Sequence, residues 1–213
     1  NASFYRMPNR FMFERMAEKI ETPFEFAVKA HKSITHEPAG GASGRDDRDQ
    51  AIGSLRSFLD SLVPLLDRDL LGCLLFQFPW SFKPTDANKE YLLALRGALG
   101  ELPAVVEFRN AAWATAANLE VLKQADLGYV CVDEPRLKGL MPPICVATSR
   151  IGYVRFHGRN AAKWWKHREA YERYDYLYTE DELAEWVPRI LELEERTEKI
   201  YVSMNNHYQG KSV

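Results

Sequence analysis

Glu107-Phe108-Arg109 and Arg155-Phe156-His157 each set two ionisable side chains at i and i+2 around a phenylalanine. On a strand that spacing puts both polar groups on one face and the ring on the other. A buried charge is costly without a partner, so pairing of Glu107 with Arg109 or Arg155 is one expectation and a functional site built on the same groups is the other. Imidazole titrates near neutral pH and a partly buried carboxylate can be tuned to match it. His31, His157 and Glu107 are therefore candidate acids and bases, with Asp133 as an orienting partner. Lys29, Arg109, Arg155 and Arg159 suit an anion, through the planar fork of arginine and the point charge of lysine. Tyr5, Gln77, Asn205 and Asn206 complete the candidate ligand-binding set. The leading reading is a small anionic ligand, phosphorylated or sugar-like, acted on by hydrolase, lyase or isomerase acid–base chemistry. The plain alternative is that the cations only neutralise Glu107 and Asp133.

Two other classes of function fit parts of the chain. Metal-dependent hydrolysis would draw ligands from His31, His36, Glu107, Asp133, His157 and His207. No H-E-x-x-H or C-x-x-C signature supports it, and no cofactor is indicated by any motif. A non-catalytic binding module, for example for single-stranded nucleic acid, would use Lys163, Trp164, Trp165, Lys166, His167 and Arg168, which interleave aromatics and cations. Such a segment also serves as a lid or as core packing, and Trp164 or Trp165 would then be buried. Gly210-Lys211-Ser212 resembles the end of a P-loop, but Asn205 stands where the first glycine is required, and no Gly-x-Ser-x-Gly elbow exists.

The chain has 213 residues, 46% of them hydrophobic, with 28 Lys+Arg against 30 Asp+Glu. That balance is ordinary for a globular protein and provides no general attraction to nucleic acid or to an anionic membrane. No stretch approaches the ~20 apolar residues of a membrane span. Cys73, Cys131 and Cys145 lie in or beside apolar runs, which suggests buried free thiols in a reducing cytoplasm. Asn1-Ala2-Ser3 fits a glycosylation sequon, but nothing else suggests secretion.

The elements that must position these groups follow from periodicity. Strands are expected over 24–29, 72–78, 104–108, 128–132, 152–156 and 200–204, where short apolar runs are bounded by turn residues. A seventh strand is expected to end at Ser3 to Tyr5. Helical stripes lie between them: Ile52, Leu55, Phe58, Leu59, Leu62, Val63 and Leu66; then Tyr91, Leu92, Leu95 and Leu99; then Leu119 and Leu122; then Leu183, Trp186, Val187, Ile190 and Leu191. The last is introduced by a Thr179/Glu182 capping box and interrupted by Pro188. Strand and helix in alternation call for parallel strands, and the absence of a glycine fingerprint after the first strand favours a (β/α)8 barrel over a dinucleotide-binding sheet. In a barrel the active groups gather at the strands' carboxyl ends, which is where the candidate residues fall.

Asn1-Ala2-Ser3-Phe4-Tyr5-Arg6, Phe26-Ala27-Val28-Lys29-Ala30-His31 with Thr35-His36, Leu75-Phe76-Gln77-Phe78-Pro79, Val106-Glu107-Phe108-Arg109, Arg155-Phe156-His157-Gly158-Arg159 and Asn205-Asn206 resemble, in order, the motifs of the domain-of-unknown-function family 72, also called YecE-like. The resemblance implies a single TIM-type barrel domain over 1–213 that lacks the family's first strand unit and last helix. It implies no activity. Met16 stands where such sequences often have Trp, and the glycine-rich run 40–49 reads as a loop.

Overall fold

The computed structural model describes residues 2–37, 45–206 and 208–212. Among these the fold is α/β, with six strands in chain order in the sheet, consistent with a partial TIM-like barrel. The chain forms two compact units, 1–106 and 107–213.

In the first unit, α1 (Ala2–Tyr5) and α2 (Arg10–Ala17) precede β1 (Phe26–Lys29), and α3 (Lys32–Thr35), α4 (Arg45–Ser61) and α5 (Val63–Leu66) lead to β2 (Leu71–Gln77). β1 and β2 pair in parallel, with Val28 opposite Leu74 and Lys29 opposite Leu75. The α4 stripe buries Leu55 and Phe58, and Leu62 and Leu65 continue it. α6 (Asp86–Leu99) buries Tyr91, Leu92, Leu95 and Leu99 and starts at Thr85, whose hydroxyl accepts the Asn88 N–H. β3 (Ala104–Glu107) is buried throughout.

The second unit carries α7 (Ala116–Gln124), β4 (Gly128–Asp133), β5 (Ile151–Phe156), α8 (Ala161–Trp164), α9 (Glu180–Ala184), α10 (Val187–Glu194) and β6 (Lys199–Met204). β4, β5 and β6 are parallel, with Val132 opposite Arg155 and Arg155 opposite Ser203. The Thr179/Glu182 capping box is present. Pro188 falls in the first turn of α10, where a missing N–H costs nothing, so the single stripe becomes two helices. Trp186 and Leu193 are buried while Leu183, Val187 and Leu191 are exposed.

Two expectations need correction. Ser3 to Tyr5 lies in a helical turn, so the described residues contain six strands and no seventh. Aromatic β-propensity at Phe4 and Tyr5 is outweighed by tertiary context: the Ser3 hydroxyl donates to the Lys29 carbonyl at 2.8 Å, and the Phe4 ring packs edge-on against His36. In the run 40–49, residues 40–44 lie outside the described residues, but Arg45 onward is the first part of α4 rather than loop. Asp47 and Asp49 are exposed on this helix, and their capacity for a polar helix face was hidden by the glycines earlier in the run.

Candidate functional site

The carboxyl ends of β3, β5 and β6 supply one connected cluster within the second unit. Glu107 ends β3, Arg155 stands one residue before the end of β5, and His157 and Asn205 follow β5 and β6. The parallel registers of β4, β5 and β6 align their ends, and two backbone bonds extend them: His157 N–H to the Asp133 carbonyl at 2.8 Å and Asn205 N–H to the Phe156 carbonyl at 2.7 Å. The i, i+2 alternation holds, for Phe108 stacks on Trp113 at 4.1 Å and Phe156 packs edge-on against Tyr178 and Trp186. The polar partners meet on the opposite side.

Glu107 is fully buried. Its Oε2 accepts Arg155 Nη1 at 2.5 Å, and its Oε1 lies 2.9 Å from Arg109 Nη2 and 3.0 Å from His157 Nε2. Arg155 Nη2 also donates to Asn205 Oδ1 at 3.1 Å. An arginine can only donate, so this contact fixes the amide, and Asn205 Nδ2 then donates to His157 Nδ1 at 3.1 Å. His157 is left with its proton on Nε2, donated to Glu107. Burial lowers the His157 pKa most, Arg109 lowers it further, and it comes to about 3. Burial alone would raise the Glu107 carboxyl, yet Arg155 and then Arg109 hold it well below the usual carboxylate range.

The sequence reading missed Glu134. It is wholly buried beside Asp133; its Oε2 accepts Arg109 Nη1 at 3.1 Å and its Oε1 the Met141 N–H at 2.8 Å. Burial outweighs the pull of Arg109 and raises its pKa to about 7. The only hint was a second acid directly before Pro135, a position held extended. Tyr174 was missed as well; its ring centroid lies 6.2 Å from that of His157.

Asp133 and Arg159 form a second cluster. Arg159 Nε donates to Asp133 Oδ2 at 2.8 Å, and its Nη atoms meet Glu182 at 3.5 Å and Glu185 at 2.9 Å. Three carboxylates thus face one guanidinium, with Arg136 at 3.4 Å from Asp133 as the additional cation. Asn206 is buried, and its Nδ2 donates to the carbonyls of Tyr176 and Lys211, which ties two loops together.

The remaining candidates belong to the first unit. Lys29 Nζ donates to Gln77 Oε1 at 3.0 Å and sits 3.9 Å from the centroid of the Phe4 ring. His31 caps α3 by accepting the Ser33 N–H on Nδ1, and burial lowers its pKa although a bond to the Tyr5 backbone opposes this. The Tyr5 side chain is exposed. Thr35 Oγ1 and His36 Nδ1 are 2.8 Å apart. His207, a metal-ligand candidate, lies outside the described residues, and among the described residues no group of three His, Cys, Asp or Glu side chains is arranged to hold a metal. In the aromatic and basic segment Trp164 is buried and Trp165 exposed, and Lys163 pairs with Glu172 at 2.8 Å. Among the described residues no helix is long and apolar enough to cross a membrane.

Residues 1–213 match the family described as "Protein of unknown function DUF72". UPF0759 protein YunF of Bacillus subtilis is 31% identical over 222 residues, which covers 99% of this chain and 77% of the relative. The crystal structure of a DUF72 family protein from Thermotoga maritima superposes with a TM-score of 0.83 at 36% identity, covering 98% of this chain and 77% of that one. A DUF72 family protein from Enterococcus faecalis gives 0.84 at 26% identity, covering 99% and 78%.

Proposed function

The chain belongs to the DUF72 family of proteins of unknown function, and from the chemistry of the cluster around Glu107 we propose that it binds a small anionic ligand, phosphorylated or sugar-like, beside Arg109 and Arg155. One observation carries this reading: two guanidinium groups share one ionised carboxylate, while His157 is neutral and Glu134 is only partly ionised near pH 7. The cluster holds surplus positive charge where the medium screens poorly, and a phosphate or carboxylate would balance it. Arg159, surrounded by three carboxylates, contributes less to anion binding than the sequence suggests. A TIM-type (β/α)8 barrel as a single domain and a cytoplasmic location belong to the same proposal, supported by parallel strand order and by free cysteines.

Thermal melts in inorganic phosphate against chloride of matched ionic strength test it. Phosphate should raise the melting temperature of the parent protein, and Arg109→Gln should lose that rise. A parent protein indifferent to phosphate would leave the arginines as a structural network and end the reading.

Acid–base turnover is the second reading, favoured by Glu134. A carboxyl titrating near neutrality is suited to proton transfer, whereas His157 stays neutral to about pH 3 and serves to orient Glu107. His31, Glu107, His157 and Asp133 remain in the proposed catalytic set, with Tyr5, Lys29, Gln77, Asn205 and Asn206 in the proposed binding set.

A further inference from the structure

Within the second unit Glu107, Glu134 and His157 are sealed from solvent and Arg155 nearly so, whereas Arg109, Asn205 and Tyr174 are partly exposed. A ligand reaching the cluster therefore meets those three side chains. Tyr174 ends a short helical turn, Ala170–Tyr174, in the segment between α8 and α9. Its ring packs edge-on against the buried Trp164, with centroids 6.2 Å apart, and stands at 51° to the His157 ring at the same separation. The chain on both sides of it is tied down. Asn160 Nδ2 donates to the carbonyls of Glu172 and Asp175, both at 3.1 Å, and Arg173 Nε donates to the Trp164 carbonyl at 3.1 Å. Asn206 Nδ2 donates to the Tyr176 carbonyl at 2.8 Å. The Tyr174 hydroxyl itself bonds to none of the described residues. Its neighbours are fixed while its own polar end is left for another partner, which is how a preorganised binding group is built.

We propose that Tyr174 is a ligand-binding residue and that the ligand is a sugar phosphate, with the phosphate on Arg109 and the sugar ring against Tyr174. This rests on the anion-binding reading above and narrows it. A partly exposed tyrosine offers an apolar ring for the C–H groups of a sugar and a hydroxyl for one of the sugar's own. An inorganic anion uses neither, and an aromatic phosphate uses only the ring. Asn205 is committed to Arg155 and His157, so recognition of the part of the ligand beyond its phosphate falls to Tyr174. Trp164 backs the tyrosine ring and is held in turn by the Arg173 guanidinium, 5.5 Å from the indole centroid. The platform is thus rigid before any ligand arrives, and little ordering cost is left to binding.

Isothermal titration calorimetry of the full chain with inorganic phosphate, glucose-6-phosphate and phenyl phosphate, at one ionic strength, tests this. Glucose-6-phosphate should bind about tenfold more tightly than phosphate, the worth of one ring contact and one hydrogen bond. Tyr174→Ala should remove the difference between the two, and Tyr174→Phe should keep the ring's share of it. The comparison of ligands on the parent protein needs no variant to fold. If the parent protein binds phosphate but glucose-6-phosphate no more tightly, or phenyl phosphate best of the three, the proposal is wrong and the anion reading stands. If it binds none of them, both fall. A difference that survives in Tyr174→Ala would place sugar recognition elsewhere and also overturn the proposal.

Discussion

Glu107 and Arg155 are 48 residues apart in sequence and form the shortest contact of the site, 2.5 Å between Oε2 and Nη1, with both side chains removed from solvent. The pair is stabilising only as a pair, because either partner alone would be a buried charge. Glu107→Gln keeps the shape and removes the charge, leaving Arg155 and Arg109 to repel across a neutral amide. The expected loss is about 3 to 5 kcal/mol in denaturant unfolding at neutral pH. A loss under ~1 kcal/mol would mean that the cluster is far better hydrated than its burial indicates.

The pH dependence of stability should show two opposed slopes. His157 falls from 6.5 to about 3 on folding, so the unfolded chain binds the extra proton, and its contribution is present above pH 6.5 and lost as pH falls toward 3. Glu134 rises from 4.5 to about 7, so the folded chain binds the extra proton, and its contribution is present below pH 4.5 and lost as pH rises through 7. Between pH 4.5 and 6.5 the two nearly cancel in the parent protein. His157→Asn should leave stability falling with rising pH, by up to about 1.4 kcal/mol per pH unit, and Glu134→Gln should leave it rising by a similar amount. Chemical denaturation across that window reads both slopes, and two variants with slopes of the same sign would contradict the assignment.

Arg159 touches a buried acid and two more exposed ones, and the three contacts should not be equal. Arg159→Ala takes the nearer guanidinium from Asp133, leaving the half-exposed Arg136 at 3.4 Å, and should cost about 2 to 4 kcal/mol. Glu185→Ala, whose side chain is 51% exposed, should leave the unfolding midpoint where it was. Equal midpoints for the two variants would show that Asp133 is satisfied by other groups.

The strands were legible because each is a short β-branched or aromatic run ended by polar or turn residues. Val105, Val106, Val130, Val132 and Val154 have no helical period to compete with that signal. The i, i+2 charges were legible for the same reason, since a two-residue repeat fixes a face once the strand is known. Ser3 to Tyr5 was misread because three residues carry too little pattern to resist a single side-chain bond to Lys29. Glu134 was missed because its role depends on Arg109 and on the turn that returns Met141 to it, neither of which leaves a local trace.

Gly158 follows His157 with φ of +87°, and its N–H donates to the Tyr178 hydroxyl at 2.9 Å. A methyl group there would lie 2.7 Å from Tyr176 Cβ, closer than carbon atoms approach, and Tyr176 is itself held through Glu182 and Asn206. Gly158→Ala must therefore bear both the left-handed backbone and the displacement of Tyr176. Gly100, at φ of +61° with open space around it, bears only the first. Gly100→Ala should cost about 1 to 2 kcal/mol and Gly158→Ala clearly more. Because Tyr176 and Tyr178 border the Asp133 and Arg159 cluster, the larger loss should come with altered near-ultraviolet circular dichroism from the tyrosines. Equal losses in the two variants, with an unchanged tyrosine signal, would show that the chain after β5 yields to the methyl group and that the close approach of Gly158 to Tyr176 positions nothing.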